Sequence, residues 1–225
     1  MNLSPIVLVT GTDTGVGKTI TTAALASVLS GMGRSVAVYK PCQSGAADGD
    51  SDAAEITRLA GVTAEAGVVL QEPMGPVAAA AIDGTPLPAV AVHAERIRSL
   101  AAIHDHVLVE GAGGLLVELD FTGGTLADLG GSLPGAAFVL VARPGLGTLN
   151  HTALTLEALS ARGRDVLGVV LGSWPDSPDA VHHSNRQVLG TLRAPLLGTL
   201  PERASKLSPA DFRAGAPAWL NGLAA

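Results

Sequence analysis

The amino-acid sequence predicts an α/β fold, in which a mainly parallel β-sheet of about seven strands carries helices on both faces. Short apolar runs rich in β-branched residues alternate with longer segments of helical periodicity. Hydrophobic residues make up 47% of the sequence and aromatic residues only 3%, so Ala, Val, Leu and Ile must build the core. Such a core suits a parallel sheet that is buried on both faces. The length of 225 residues is enough for one well-buried core, which predicts a single domain over residues 1–225.

The first half of the chain begins with the apolar run Ile6-Val7-Leu8-Val9, which predicts a strand at residues 6–10. An alanine-rich segment at residues 18–30 follows as a helix, and Gly31 ends its pattern. Residues 67–88 are rich in Ala, Gly and Pro and are predicted to form an irregular surface excursion. The other predicted elements of this half are a strand at residues 36–39 and helices at residues 52–59 and 89–102.

In the second half, the apolar run at residues 107–110 predicts a strand that continues directly into Gly111-Ala112-Gly113-Gly114. A leucine-rich segment at residues 148–161 has its apolar positions at helical spacing. The remaining predicted elements are strands at residues 136–142, 166–171 and 196–200 and a helix at residues 179–192. Because strands and helices alternate, we expect right-handed crossovers, and the loops after the strands should form the functional site.

Charge and cysteine content restrict the class of protein. The formal net charge of −6 argues against nucleic acid or an anionic membrane as the main partner. Cys42 is the only cysteine, so an intrachain disulfide is impossible. Lys18 is the first basic residue, which leaves no basic region for a signal peptide, and no apolar run approaches the length of a membrane span. These observations predict a cytoplasmic enzyme.

The stretch Gly11-Thr12-Asp13-Thr14-Gly15-Val16-Gly17-Lys18-Thr19 has the layout of a phosphate-binding loop between a strand and a helix. Glycines let backbone N–H groups converge on phosphate oxygens, and the first helical turn adds its own donors. Lys18 should reach the β- and γ-phosphates, and the Thr19 hydroxyl should bind Mg²⁺. The spacing is a variant, because Thr12 stands where a glycine is usual. The predicted nucleotide-binding residues of this loop are Thr14, Gly15, Val16, Gly17, Lys18 and Thr19.

Three further charged residues lie at the ends of predicted elements. Lys40 begins Lys40-Pro41-Cys42-Gln43-Ser44-Gly45 and either points into the crevice beside the phosphates or is a solvated lysine at the strand end. Asp52 can cap its helix together with Glu55, offer an oxygen to Mg²⁺, or do both. Glu110 ends a buried strand next to a glycine-rich turn, the position of a metal-associated acid in phosphate-loop proteins, with a strand-end cap as the alternative.

Together these motifs resemble the dethiobiotin synthetase family. The resemblance rests on the phosphate loop with its variant spacing, on the lysine motif at 40–45, on Val109-Glu110-Gly111-Ala112-Gly113-Gly114, and on Gly145-Leu146-Gly147-Thr148-Leu149-Asn150-His151. They occur in the family's order over about the first two-thirds of the chain. The resemblance implies a P-loop NTPase-like fold. It also implies an ATP-dependent enzyme that carboxylates 7,8-diaminononanoate with CO₂, activates the carbamate as a carbamic-phosphoric anhydride, and closes the ring to dethiobiotin with release of ADP and phosphate.

Site roles follow from the resemblance. Lys18 and Lys40 would be catalytic, and Thr19, Asp52 and Glu110 would hold Mg²⁺. The other residues implied to contact the nucleotide are Gly111, Ala112, Gly113, Gly172, Ser173, Leu200, Pro201 and Glu202. The residues implied to bind the diamine are Ser44 and, from the neighbouring subunit of a homodimer, Gly147, Thr148, Leu149 and Asn150, with Thr148 as a candidate helix cap.

One departure concerns the base. Many family members place Asn-Asp after the strand at residues 166–171, and that Asn reads adenine. Gly172-Ser173-Trp174-Pro175 stands there instead, which predicts relaxed selectivity for ATP over other nucleoside triphosphates.

Two other classes of protein are possible alternatives. A nucleotide-switched regulatory ATPase of the partitioning type usually has an earlier lysine in the loop, and none lies between Gly11 and Lys18. It also tends to end in a basic or amphipathic tail, whereas residues 205–225 contain only two cationic side chains. An amidotransferase-linked ATPase of cobalamin synthesis would need a glutaminase domain, for which this chain is too short. The histidines show no metal-site spacing and are predicted to have surface roles.

Overall fold

A computed structural model describes residues 3–49 and 51–224 of the chain. Its strands are β1 (Ile6–Gly11), β2 (Val36–Gln43), β3 (Thr63–Val69), β4 (His106–Gly114), β5 (Ala137–Ala142), β6 (Asp165–Trp174) and β7 (Leu196–Pro201). Its α-helices are α1 (Lys18–Gly31), α2 (Asp52–Ala60), α3 (Pro76–Asp83), α4 (Val90–Ala101), α5 (Leu126–Gly131), α6 (Thr148–Ala161), α7 (Ala180–Leu189) and α8 (Pro209–Trp219). Short 3₁₀ helices lie at Ala46–Asp48, Ala204–Lys206 and Asn221–Ala224.

The seven strands form one sheet in the order β3-β2-β4-β1-β5-β6-β7, and every neighbouring pair is parallel. The predicted α/β class and the number of strands are therefore confirmed. β1 and β5 are buried at every residue, as expected for β-branched runs in the centre of a parallel sheet. Since β1 lies between β4 and β5, the loops after these three strands meet at one edge of the sheet.

Alternate residues of each strand point to opposite sides of the sheet, so both faces are apolar. Helices cover both of them. Val7 and Val9 of β1 face one cluster, which α1, α2 and α8 complete. Leu8 faces the other side, where α4, α5 and α6 pack. A smaller cluster joins α7 to Leu140 of β5 and to β6. Within the described residues, no helix has both the length and the apolar character that are needed to cross a membrane.

The prediction of an irregular excursion at residues 67–88 is wrong. β3 reaches into this segment and pairs with β2, and α3 follows with Ala79 and Ala80 fully buried. β3 is an edge strand with several exposed residues, so it lacks the continuous apolar run of the central strands. α3 has only eight residues, with Pro76 at its first position and Gly84 after its last. A short alanine-rich helix between Pro and Gly reads as a loop in the sequence.

Three strands run further than predicted. β2, β4 and β6 each continue three or four residues past the ends expected at residues 39, 110 and 171. Most of the added residues are polar or glycine, and they lack the apolar pattern of a strand. Each extension nevertheless pairs with a neighbouring strand. The extensions carry motif residues of the candidate site, and the pairing at the ends of β4 and β6 includes register shifts.

The surface role predicted for the histidines is wrong for His93. This side chain on α4 is only 1% exposed, and its Nδ1 lies 2.7 Å from the hydroxyl of Tyr39. Burial lowers the pKa of His93 and raises that of Tyr39 to about 12, so both groups are neutral near pH 7. The pair is a polar contact inside the core between β2 and α4.

Candidate active site

The loop between β1 and α1 has a backbone that only glycine adopts readily at two positions. Gly15 has φ +72° and Gly17 has φ +97°. A Cβ on Gly17 would lie 2.5 Å from the carbonyl oxygen of Gly172, so the loop also packs directly on β6. Gly17 precedes the first residue of α1, and no side chain caps this helix. Its first amides are therefore available to an anion, as a phosphate-binding loop requires.

Lys18 lies at the start of α1, and its side chain folds back over the loop. It is 7% exposed, and its Nζ donates to the backbone oxygen of Asp13 at 3.0 Å. Burial lowers the pKa of Lys18, and the nearby Glu110 carboxylate partly offsets this effect. The ammonium group is thus placed inside the loop, where a bound phosphate would meet it.

Four predicted site residues meet where α1, β2, α2 and β4 converge. The Thr19 hydroxyl lies 2.8 Å from Oδ1 of Asp52 and 2.9 Å from Oε1 of Glu110. Lys40 Nζ lies 2.7 Å from Oδ2 of Asp52 and 3.0 Å from Oε1 of Glu110. The structure therefore joins these side chains in one cluster at the carboxyl edge of the sheet.

Lys40 is 4% exposed, so the alternative of a solvated lysine is wrong. Burial lowers the pKa of Lys40, but the adjacent Glu110 and Asp52 carboxylates outweigh burial and raise it overall. For Asp52, burial raises the pKa, and the Lys40 ammonium outweighs this effect and lowers it. Lys40 and Asp52 are therefore both charged at neutral pH.

The cluster has the chemistry of a divalent-cation site. The Thr19 hydroxyl carries one proton but contacts two carboxylate oxygens, so one of the two close O···O contacts lacks a hydrogen. Oε2 of Glu110 is buried and has no hydrogen-bond partner within the described residues. Among all the described residues, no group of three or more His, Cys, Asp or Glu side chains is arranged to hold a metal ion by itself. Two carboxylates and a hydroxyl, completed by water and phosphate oxygens, suit Mg²⁺.

A cavity of about 570 Å³ opens beside this cluster. Its wall contains residues of the phosphate loop, of the lysine motif and of the glycine-rich end of β4. Among the predicted site residues, it contains Thr14, Gly15, Gly17, Lys18, Thr19, Lys40, Ser44, Asp52, Glu110, Ala112 and Gly113. Val16 and Gly111 are not among the lining residues, and both are buried. Residues 73–75, between β3 and α3, and Pro76, the first residue of α3, also line the cavity and were not predicted.

Other predicted residues lie outside this cavity. Gly172 packs against the phosphate loop, and Ser173 follows it on β6. Leu200 is fully buried in the core, whereas Pro201 is half-buried and Glu202 is exposed. The amide of Glu202 donates to the Trp174 oxygen at 2.9 Å, so the ends of β6 and β7 lie side by side.

Gly147, Thr148, Leu149 and Asn150 also lie away from the cavity, where α6 begins. The prediction that Thr148 caps this helix is wrong, because Gly147 with φ +86° is the cap residue and Thr148 is fully buried. Leu146 in the preceding turn is 81% exposed. The first turn of α6 has no side-chain cap, and Leu149 and Asn150 in this turn are exposed.

The predicted capping role of Asp52 is wrong as well. Ser51 is the cap of α2 and accepts a hydrogen bond from the Ala54 amide at 3.2 Å, and Glu55 pairs with Arg58 instead. Asp52 is the first helical residue, which leaves its carboxylate for the cluster with Thr19 and Lys40.

Two contacts were not predicted from the sequence. Arg143, which follows β5, forms an ion pair with Asp13 of the phosphate loop. Gln43, between Lys40 and Ser44, is buried and bonds to the backbone of both Ser44 and Asp52. The only indication in the sequence that Gln43 belongs to the site was its position inside the lysine motif. Arg143 gave none, because its contact depends on β5 lying next to β1.

Comparisons with known proteins identify the family of the chain. A family model described as an AAA domain matches residues 6–210. An ATP-dependent dethiobiotin synthetase BioD from Mycobacterium avium is 52% identical over 210 residues, which cover 93% of this chain and 92% of that protein. The protein of the same name from Mycobacterium marinum is 53% identical over 208 residues, with 92% and 91% covered. That from Streptomyces coelicolor is 49% identical over 220 residues, with 96% and 92% covered.

Solved structures share the fold at much lower identity. The septum site-determining protein MinD complexed with Mg-ADP from Pyrococcus horikoshii has a TM-score of 0.62 at 19% identity, covering 98% of this chain and 94% of that one. The cell division ATPase MinD from Pyrococcus furiosus has a TM-score of 0.61 at 20% identity, covering 98% and 97%. These likenesses concern the fold alone, and they confirm the predicted P-loop NTPase-like architecture.

Two findings establish the family of this chain. The relatives are 49% to 53% identical over more than nine-tenths of the chain, and the family model matches most of it. The chain is an enzyme, and it belongs to the ATP-dependent dethiobiotin synthetase family.

Proposed function

We propose that the chain synthesises dethiobiotin from 7,8-diaminononanoate and CO₂ with hydrolysis of a nucleoside triphosphate. One observation carries the proposal: the buried Lys40 lies against Asp52 and Glu110, and these two carboxylates flank Thr19 beside the phosphate loop. This cluster borders a cavity large enough for a small substrate next to the phosphates. Membership of the family supports the same assignment.

In the first step, a neutral amine of the substrate attacks CO₂ and releases a proton, which forms a carbamate. An alkyl amine with a pKa near 10 is only about one part in 10³ neutral at pH 7, equivalent to about 4 kcal/mol of lost reactivity. A cation beside the amine disfavours its ammonium form and then stabilises the carbamate anion. Lys40 supplies this charge, and its two carboxylate partners hold it in place. Ser44, on the cavity wall, hydrogen-bonds the diamine or its carbamate.

In the second step, a carbamate oxygen attacks the γ-phosphoryl group, and the bond to the β-phosphate oxygen breaks to release ADP. Lys18 and Lys40 neutralise the charge that develops on the transferred group, so the protein contributes position and electrostatics. Thr19, Asp52 and Glu110 would hold Mg²⁺, which supplies further charge neutralisation at the phosphate oxygens. The product is a carbamic-phosphoric anhydride.

In the third step, the second amine attacks the anhydride carbonyl carbon and loses a proton to water. The bond between that carbon and the bridging oxygen breaks, and phosphate leaves. Both reacting groups belong to one molecule, so ring closure costs little entropy and needs no protein nucleophile. The role of the site is to keep the two amines on the same side as the cations and to exclude water from the anhydride.

The nucleotide is proposed to lie on the phosphate loop and the glycine-rich end of β4, with its base toward the ends of β6 and β7. The residues proposed for the base and ribose are Gly172, Ser173, Leu200, Pro201 and Glu202. Ser173 offers a hydroxyl but lacks the side-chain amide with which an Asn would recognise adenine. We therefore propose that ATP and other nucleoside triphosphates are substrates.

The proposed partners are small molecules and a second copy of the chain. Gly147, Thr148, Leu149 and Asn150 would bind the substrate carboxylate in the neighbouring subunit, where the uncapped first turn of α6 offers amides and a positive helix end. We further propose that residues 1–225 act as one domain. A cytoplasmic location, without nucleic acid or membrane as partner, remains a prediction from charge and from the buried single cysteine Cys42.

The test is phosphate release by the purified protein with ATP and Mg²⁺, with and without diaminononanoate and bicarbonate, with dethiobiotin followed by mass spectrometry. We expect turnover only when both substrates are present, and one dethiobiotin for each phosphate. Comparable hydrolysis without either substrate, stimulated by DNA or lipid, would instead indicate the regulatory ATPase of the partitioning type.

A further inference from the structure

Gln43 is a buried amide that has no role in the reaction described above. It is the last residue of β2, is 4% exposed and lies on the cavity wall beside Ser44. Buried amide groups are unfavourable unless their donors and acceptors are satisfied, so the partners of this side chain indicate its task.

The two ends of the Gln43 amide bond to two different segments. Oε1 accepts from the backbone N–H of Asp52 at 3.0 Å, and Nε2 donates to the backbone oxygen of Ser44 at 2.8 Å. These partners fix the orientation of the amide, because the reverse orientation would place donor against donor and acceptor against acceptor. The backbone oxygen of Gln43 accepts from the Leu70 amide at 2.7 Å, which ties the end of β2 to the residue after β3.

The bond to Asp52 anchors the start of α2. The Asp52 amide is one of the donors that a helix cannot satisfy internally, and Gln43 satisfies it, while Ser51 accepts from Ala54. The position of the Asp52 backbone determines where its carboxylate lies, and this carboxylate contacts both Thr19 and Lys40. Gln43 therefore bears on the position of the Asp52 carboxylate through the backbone amide of Asp52.

The bond to Ser44 anchors the next turn of the chain. Gly45 follows with φ +79° and starts the 3₁₀ helix Ala46–Asp48, so the chain turns sharply after Ser44. The Nε2 bond holds the peptide group between Ser44 and Gly45. A fixed peptide here constrains the backbone of Ser44, which lines the cavity.

We propose that Gln43 is a positioning residue whose single amide holds Asp52, a ligand for the divalent cation, and Ser44, a contact for the diamine, at a fixed separation. The inference rests on the proposed function for the roles of Asp52 and Ser44. It predicts that loss of the amide weakens the cation and the diamine together, while the phosphate loop keeps its own contacts.

Two variants distinguish the effects of the two hydrogen bonds of the Gln43 amide. Gln43→Met removes both hydrogen bonds at nearly constant volume. Gln43→Glu keeps the acceptor for the Asp52 amide but loses the donor for the Ser44 oxygen. Gln187→Ala, at an exposed position of α7, is the matched control. For each protein we would measure the Mg²⁺ concentration that half-maximally enhances ADP binding, by titration calorimetry, and the KM for the diamine.

We expect Gln43→Met to raise both quantities about tenfold, with the metal-free affinity for ADP within about twofold of the wild type. Gln43→Glu should raise the KM for the diamine. Because it also adds a carboxylate beside Asp52, the Mg²⁺ midpoint is compared only between Gln43→Met and the wild type. A purely structural role would lower the melting temperature and leave both quantities unchanged in the folded protein, which would overturn the proposal.

The wild-type assay separates this inference from the proposed function. If the wild type makes no dethiobiotin, the proposed function fails, and the Mg²⁺ midpoint of ADP binding alone decides the role of Gln43. A tenfold shift of this midpoint in Gln43→Met would still support the link to Asp52, and an unchanged midpoint would overturn it.

Discussion

At the scale of single residues, Glu110 combines full burial with a carboxylate oxygen that has no hydrogen-bond partner within the described residues. A buried charge is costly unless another charge compensates it, and Lys40 does so from 3.0 Å through the other oxygen. Lys40 contacts Oε1, so Oε2 still lacks a partner within the described residues. The buried Oε2 is therefore a candidate ligand for the proposed divalent cation.

Replacing Lys18 or Lys40 with Ala should lower kcat at least about 10²-fold, comparable to removing one preorganised donor from an active site. Both ammonium groups are buried beside the phosphate loop, where a charge acts strongly on the transferred group. Lys206→Ala changes the third lysine of the chain, which is exposed, and should leave kcat unchanged. Steady-state kinetics on variants checked for folding by circular dichroism would decide. Near-normal turnover of a folded Lys40→Ala protein would remove that lysine from the mechanism.

Base selectivity is a second question of single residues. A Cβ on Gly172 would lie 2.0 Å from the Val16 oxygen, so this position cannot carry an adenine-reading side chain while the phosphate loop packs on β6. We expect CTP and GTP to bind within about tenfold of ATP, a difference of at most about 1.4 kcal/mol. Dissociation constants from calorimetry provide the test. Discrimination by ~10³ would mean that another residue reads the base.

At the scale of elements, the sequence was informative where structure is local. The phosphate loop occupies consecutive residues between a strand and a helix, so its position could be predicted directly. The central strands were equally clear because they are continuous apolar runs. β3, α3, α5 and α8 were missed because an edge strand and helices that contain Gly or Pro have weak periodicity.

Contacts between elements were less predictable, because they depend on strand order. Lys40 and Glu110 meet since β2 pairs with β4, and Asp13 meets Arg143 since β1 pairs with β5. No local pattern encodes these neighbours. Family resemblance supplied the first pair through its motifs, whereas Arg143 and Gln43 became visible only in three dimensions.

Asp120 links two elements and makes a pH-dependent contribution to stability. Its Oδ2 accepts from the Val90 amide at the start of α4, and its Oδ1 accepts from the amides of Thr122 and Gly124. Burial raises the pKa of Asp120, but these bonds and that from the Thr122 hydroxyl outweigh it and bring the pKa to about 2. The ordinary value is 3.8, so the folded state favours the ionised form. This contribution is fully present above pH 4 and is lost as the pH falls toward 2.

Asp120→Asn should therefore lower the free energy of unfolding by about 2 kcal/mol at pH 7, and by less as the pH approaches 3. Urea unfolding at both pH values measures the difference. Glu95→Gln, an exposed change on α4, is the control and should have little effect at either pH. A loss of stability that does not depend on pH would show that the charge of Asp120 is not responsible.

At the scale of the whole molecule, the diamine proposed as the substrate also carries a carboxylate, which needs a binding group of its own. The cationic side chains that line the cavity in the described residues are Lys18 and Lys40, and both are proposed to act on phosphate and carbamate. The first turn of α6 has no side-chain cap, and Leu146, Leu149 and Leu154 in and near it are exposed. We propose that a second copy, related by a twofold axis, covers these leucines and brings each α6 to the partner's cavity.

We therefore predict a homodimer in sedimentation experiments, in which a substitution at Gly147 affects the diamine but not the nucleotide. Gly147→Glu places a negative charge at the start of α6, where a substrate carboxylate is proposed to bind, and should raise the KM for the diamine at least about tenfold. Nucleotide affinity should stay within about twofold, because Gly147 lies outside the cavity.

The control is Gly163→Glu, just beyond the other end of α6. Its φ of +62° makes a side chain similarly strained there, and a Cβ would meet nothing within 4 Å. If Gly163→Glu raised the KM equally, backbone strain rather than the charge at Gly147 would be the cause. A fully active monomer, detected by sedimentation under turnover conditions, would rule out a site shared between two subunits.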